Sequence, residues 1–123
     1  GSPALPTGPK NRQLMYLYNV TVNIDDSAHA LWKDWMLEVH IPEVLATGQF
    51  LDCRFTRVLV EEESGTTYSI QYRFDLMEDF QLYQELYAPG LRRQTEERFG
   101  GKFVAFRTLL EIQNEFTAER LDG

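Results

Sequence analysis

The spacing of apolar positions changes along this chain, and each change marks an element. Tyr16, Tyr18, Val20, Val22 and Ile24 alternate with Leu17, Asn19, Thr21 and Asn23. A period of two, rich in β-branched and aromatic residues, predicts a strand. Asp25-Asp26-Ser27 then supplies helix-capping chemistry, with Ser27 as the expected N-cap. Ala28, Leu31, Trp32, Trp35, Met36 and Val39 follow at spacings of three and four, one apolar stripe of a helix. The helix should falter near His40, because the residue before a proline disfavours helical geometry and Pro42 is close. Pro42 opens a short second turn over 43–47 that stops at Gly48.

A second strand is expected over about Phe50 to Val60 and a third over about Thr66 to Phe74, joined through Glu61-Glu62-Glu63 and Ser64-Gly65. The three adjacent glutamates read as a solvated hairpin turn, since neighbours on a strand point to opposite faces and cannot share a metal ion. Asp75 with Glu78 is a capping-box pattern that opens a second helix. Phe80, Tyr83 and Tyr87 mark its buried side. Pro89-Gly90 should break or bend it, a further helical piece reaches Arg98 or Phe99, and Gly100-Gly101 ends it. The last strand spans about Lys102 to Ile112. The order strand, helix, strand, strand, helix, strand predicts an α+β, ferredoxin-like βαββαβ fold. It has a four-stranded antiparallel sheet, both helices on one face, and the first and third strands in the centre.

The other face of that sheet is the open question. On the helix side we expect the tyrosine and valine series of the first strand and the tyrosine series of the third. The fourth strand should add Val104, Phe106, Thr108, Leu110 and Ile112. The opposite set is then Leu17, Asn19, Thr21, Asn23, Ser69, Gln71, Arg73, Phe103, Ala105, Arg107 and Leu109, joined by Arg54 and Thr56. Such a face is either wetted, or a recognition platform, or packed on a copy of itself. Asn, Thr, Ser and Gln on the central strands offer no stacking rings for bases. Bare Leu17, Phe103, Ala105 and Leu109 favour a homodimer.

Composition narrows the picture. Hydrophobic residues are 43% of the 123, enough for a core without metals or disulfides. Twelve basic against 19 acidic side chains give a net charge of −7, which repels phosphate backbones, so no nucleic-acid partner is expected. No apolar run approaches the ~20 residues of a membrane span, so no membrane partner is expected either. The lone Cys53 excludes an internal disulfide, and a cytoplasmic setting is expected. Pro3, Pro6 and Pro9, among Gly and Ser, make 1–14 a flexible leader or a remnant of cloning. The domain is then 15–113, with a polar tail over 114–123.

Several stretches carry a resemblance. They are Tyr18-Asn19-Val20-Thr21-Val22-Asn23-Ile24, then Trp32 and Trp35-Met36, then His40-Ile41-Pro42-Glu43-Val44-Leu45-Ala46-Thr47-Gly48-Gln49-Phe50. Thr67 to Tyr72 and Arg98 to Thr108 belong with them. Over about 15–112 the chain resembles a bacterial domain family of unknown function in the dimeric α+β barrel superfamily. The resemblance implies the same fold and a face-to-face dimer, but no catalytic residues. Wider relatives include cofactor-free monooxygenases, muconolactone-isomerase-like enzymes, EthD-like proteins and haem-degrading branches. Chemistries so different do not fix this protein's own.

His40 is the first candidate for chemistry, since imidazole is the usual acid or base near neutral pH. Its bland alternative is a helix cap. Arg73 and Arg107 would hold an anion, and Arg54 is a third guanidinium of the same kind; pairing across subunits is the alternative. Trp32, Trp35 and Tyr68 could line a pocket or simply fill the core. His29 reads as surface and Cys53 as a small hydrophobe. There is no phosphate loop, dinucleotide fingerprint, zinc-protease or nucleophile-elbow motif, and no cofactor or metal is expected. The leading expectation is a homodimer that binds an anionic or aromatic small molecule, its catalytic form being a cofactor-independent enzyme. The alternative is a non-catalytic dimeric interaction module. A cavity lined by His40, the tryptophans and an arginine would favour the first.

Overall fold

In the computed structural model, which describes residues 14–119, β1 (Met15–Ile24) leads into a helix, α1, spanning 29–46. β2 (Asp52–Arg57) and β3 (Thr66–Phe74) form a hairpin, α2 spans 77–99, and β4 (Phe103–Ile112) closes the sheet. The sheet is antiparallel with order β2-β3-β1-β4, so the first and third strands are central. This is the ferredoxin-like architecture expected from the element order. The expected leader lies almost wholly outside the described residues, and residues 113–119 form no helix or strand.

The strand alternation of β1 and β3 does what a period of two requires. Tyr18, Val22, Ile24, Tyr68, Ile70, Tyr72 and Phe74 are buried under the helices, together with Trp32, Trp35, Val44, Phe80, Tyr83 and Phe99. Asn19, Thr21, Thr67, Ser69, Gln71 and Arg73 point the other way.

The expected helix caps differ from those observed. No side chain caps either helix. Asp25 instead accepts from the backbone N–H and hydroxyl of Ser27, at 2.8 and 2.7 Å, and α1 begins one turn of chain later. Leu76, not Asp75, precedes the first turn of α2.

Neither proline breaks its helix. α1 runs as α-helix His29–Trp35, a π-turn Met36–His40 and α-helix Ile41–Ala46; α2 runs as Met77–Leu82, a π-turn Tyr83–Tyr87 and Ala88–Phe99. The Ile41 N–H donates to Met36 O and the Ala88 N–H to Tyr83 O, five residues back in each case. Each proline follows one residue later, in the first turn of the next α-segment, where its missing N–H has no helical duty.

The phase of β4 is opposite to the expectation. Ile24 pairs with Phe103, Val22 with Ala105, Val20 with Arg107 and Tyr18 with Leu109, which puts those four β4 residues on the helix side. Val104, Phe106, Thr108 and Leu110 lie on the bare face. Both halves of β4 are largely apolar, so its alternation carries no phase of its own. The phase is set by pairing with β1, into which the preceding turn leads, with Gly101 at φ +82° and the Asp25 N–H donating to Lys102 O at 2.8 Å.

Candidate functional site

A cavity of about 400 Å3 opens between the sheet and the two helices. Its sheet wall is Tyr18, Val20, Val22, Ile70 and Tyr72 from the central strands and Phe103, Ala105 and Arg107 from β4. Its helix wall is Trp32, Met36 and His40 from α1, and Tyr83, Leu91, Arg92, Thr95 and Glu96 from α2. Ala105 presents a single methyl opposite Val22, where a larger side chain would fill the space. Both π-turns face this cavity: one supplies Met36 and His40, the other Tyr83.

His40 stacks on Trp35, ring centroids 4.9 Å apart and 27° between planes. The Arg98 guanidinium covers the Trp35 ring at 5.7 Å. The indole therefore holds the imidazole without giving it a hydrogen bond. Among the described residues, His40 Nδ1 is the one buried side-chain polar atom with no hydrogen-bond partner. Burial first, and the Arg107 guanidinium second, bring this imidazole down to about 4. His40 is thus neutral at pH 7. It is a hydrogen-bonding group and a weak base, and the simple helix cap is excluded by its unpartnered nitrogen.

Arg107 brings charge to the same cavity. Among the described residues the only ion pair is Arg73 with Asp52, so Arg107 has no carboxylate partner. Arg92 donates to the Tyr18 hydroxyl at 3.3 Å and to Gln84 Oε1 at 3.0 Å. Burial raises the phenols of Tyr72 and Tyr83 above their ordinary value, so both stay protonated. The site is an apolar chamber with three phenols, a neutral imidazole, two guanidiniums and one carboxylate. Among the described residues no three His, Cys, Asp or Glu side chains converge on a metal position.

Of the residues singled out from sequence, His40, Trp32 and Arg107 meet at this cavity, and Trp35 supports it from behind. Arg73, Arg54 and Tyr68 do not line it. Arg73 lies on the bare face, where its Nε and Nη2 fork onto the Asp52 carboxylate at 3.0 and 2.6 Å. Arg54 shares that face, opposite Gln71. Arg73 and Arg107 therefore point from opposite sides of the sheet and cannot clamp one anion within a subunit; the reversed phase of β4 is the reason. Tyr68 is buried near the far edge, its hydroxyl 2.6 Å from His29 Nε2. His29 is accordingly half-buried rather than free surface. Cys53 is half-buried beside Tyr72, and burial, then Asp52, pushes its thiol up to about 12. It is inert at neutral pH, as a small hydrophobe should be.

Sequence reasoning missed Arg92, Glu96 and Met36 as lining residues. Arg92, Thr95 and Glu96 share one helix face by their spacing, a signal that was available. That this face looks into a chamber was not.

The model of a domain of unknown function, DUF4286, matches residues 15–113. The chain belongs to this family. No curated protein matches it. Among solved structures, a dimeric ferredoxin-like protein from an uncultured marine organism is similar at a TM-score of 0.61 and 16% identity, over 85% of this chain and 99% of that one. An ethyl tert-butyl ether D (EthD) family protein from Bacillus halodurans gives 0.59 and 11%, over 76% and 96%. A monooxygenase from Streptomyces coelicolor, solved with the ligand nanaomycin D, gives 0.56 and 12%, over 86% and 94%. At such identities these likenesses show the fold of this DUF4286 member and leave its chemistry to its own residues.

Proposed function

We propose that this protein is a homodimer that binds a small anionic or aromatic molecule in the cavity between sheet and helices. The observation that carries the reading is the buried, unpartnered His40 Nδ1 in a chamber that also holds the unpaired Arg107 guanidinium. A buried polar atom without a partner is costly, and a ligand atom supplies what the fold leaves out. The apolar walls suit a ring, and Arg107 suits an acid group. If the protein is an enzyme, His40 is the proton acceptor and Arg107 steadies the anion that results.

Dimerisation has its own support. The bare sheet face carries Val104, Phe106 and Leu110 at 69, 64 and 41% exposure, next to Leu17. Several polar groups of the same face bond one another. Ser69 Oγ donates to Asn19 Oδ1 at 2.5 Å, Asn19 Nδ2 to Thr21 Oγ1 at 3.1 Å, and Thr56 Oγ1 to Ser69 O at 2.6 Å. A face whose polar groups bond one another loses little when water leaves it. Similar proteins are described as dimeric ferredoxin-like, which fits this reading.

A melting-shift screen of carboxylates and phenols tests the ligand site. Wild type is expected to be stabilised by members of the series, and His40→Ala and Arg107→Met to lose that response. Equal responses in all three proteins would remove the site.

A further inference from the structure

The charges around the cavity narrow the class of ligand. Facing His40 are Arg107 from β4, Arg92, Glu96 and Tyr83 from α2, Tyr18 from β1 and Tyr72 from β3, with Arg98 beyond the Trp35 ring. With neutral phenols and a neutral imidazole, the lining carries two positive charges and one negative. None of these charged groups is paired with another, since the only ion pair among the described residues is Arg73 with Asp52 on the far face. One net positive charge in an apolar chamber matches one negative charge on a ligand; a second would enter uncompensated.

We propose that the cavity takes an amphipathic carboxylic acid as its monoanion, with the carboxylate forked on Arg107 and a hydroxyl or second acid group hydrogen-bonded to His40 Nδ1. The fork matches guanidinium geometry, and the second group partners His40 Nδ1, the buried side-chain polar atom left without a hydrogen bond among the described residues. A diacid then brings one proton into the site with it. The proton rests either on its second carboxyl group or on the imidazole. The depressed basicity of His40 follows from burial and then from Arg107, and it rises when a second negative charge arrives beside it. The inference rests on the cavity being a ligand site and adds which acids it prefers and how pH governs them.

Isothermal titration of wild type, His40→Ala and Arg107→Met with benzoate, the three hydroxybenzoates and isophthalate tests it. At least one hydroxybenzoate should bind wild type about tenfold tighter than benzoate, the worth of one buried hydrogen bond. His40→Ala should erase that gain while keeping benzoate binding, and Arg107→Met should lose every acid. Between pH 6 and 8, isophthalate affinity should fall about tenfold per unit, with uptake of about one proton, while benzoate affinity stays flat. Acids that bind without the hydroxyl gain, with the gain intact in His40→Ala, or with no proton uptake by the diacid would overturn this assignment alone. No acid binding to wild type would overturn the ligand-site reading along with it.

Discussion

His40 is a destabilising residue in acid. Its imidazole titrates near 6.5 when the chain is unfolded and at about 4 when folded, because burial, and then Arg107, oppose the charge. Between those values the unfolded state holds more protons, so stability falls as pH drops from 6.5 and the loss is complete below 4. The full penalty is on the order of 3 kcal/mol. His40→Leu should lack it. Urea denaturation at pH 7 and 4.5 should therefore show wild type losing about 2 kcal/mol relative to the variant; parallel losses would mean that the imidazole does not titrate in that window. The residue type and its neighbour Pro42 singled His40 out in sequence, but its missing partner and the nearness of Arg107, 67 positions on, belong to the fold.

At the scale of elements, the two π-turns explain what an α-helical period mispredicts. Buried positions run from Ala28, just before α1, through Trp32, Trp35, Met36, Ile41 and Val44, and in α2 through Phe80, Tyr83, Ala88, Leu91 and Phe99. At each π-turn the series takes a step of five, from Met36 to Ile41 and from Tyr83 to Ala88. The extra residue rotates Val39 and Tyr87 outward, to 39 and 37% exposure, although α spacing puts both on the buried side. The same turn carries His40 to the cavity. Deleting Leu37, 47% exposed, should convert the step of five to four and leave a continuous α-helix with its apolar stripe intact. Far-UV circular dichroism should be unchanged, at a cost of about 1 kcal/mol. The His40 imidazole, followed by NMR, should return toward 6.5. A titration still near 4 would show that the turn does not place it. The steps of five and the following prolines were legible in the sequence; only a period of 3.6 imposed on them hid the turns.

For the whole molecule, the sheet's bare face is the surface proposed to pack on a second copy. Light scattering after size exclusion should give about twice the 14.4 kDa chain mass, and Phe106→Asp should give the monomer. A monomeric wild type at micromolar concentration would leave Val104, Phe106 and Leu110 without their proposed cover. The sequence placed Leu17, Phe103, Ala105 and Leu109 on the bare face; Leu17 lies there, and the other three lie on the helix side. The sequence alone determined the element order, the central strands, the core faces of β1 and β3 and the choice of His40. Local periodicity and turn chemistry encode each of these within a few residues. Only the tertiary structure decided the phase of β4, the separation of Arg73 from Arg107 and the existence of the chamber. In β4 both faces are apolar, so pairing with β1 breaks the tie, and a cavity is the space left where Ala105, two π-turns and three strands fail to fill it.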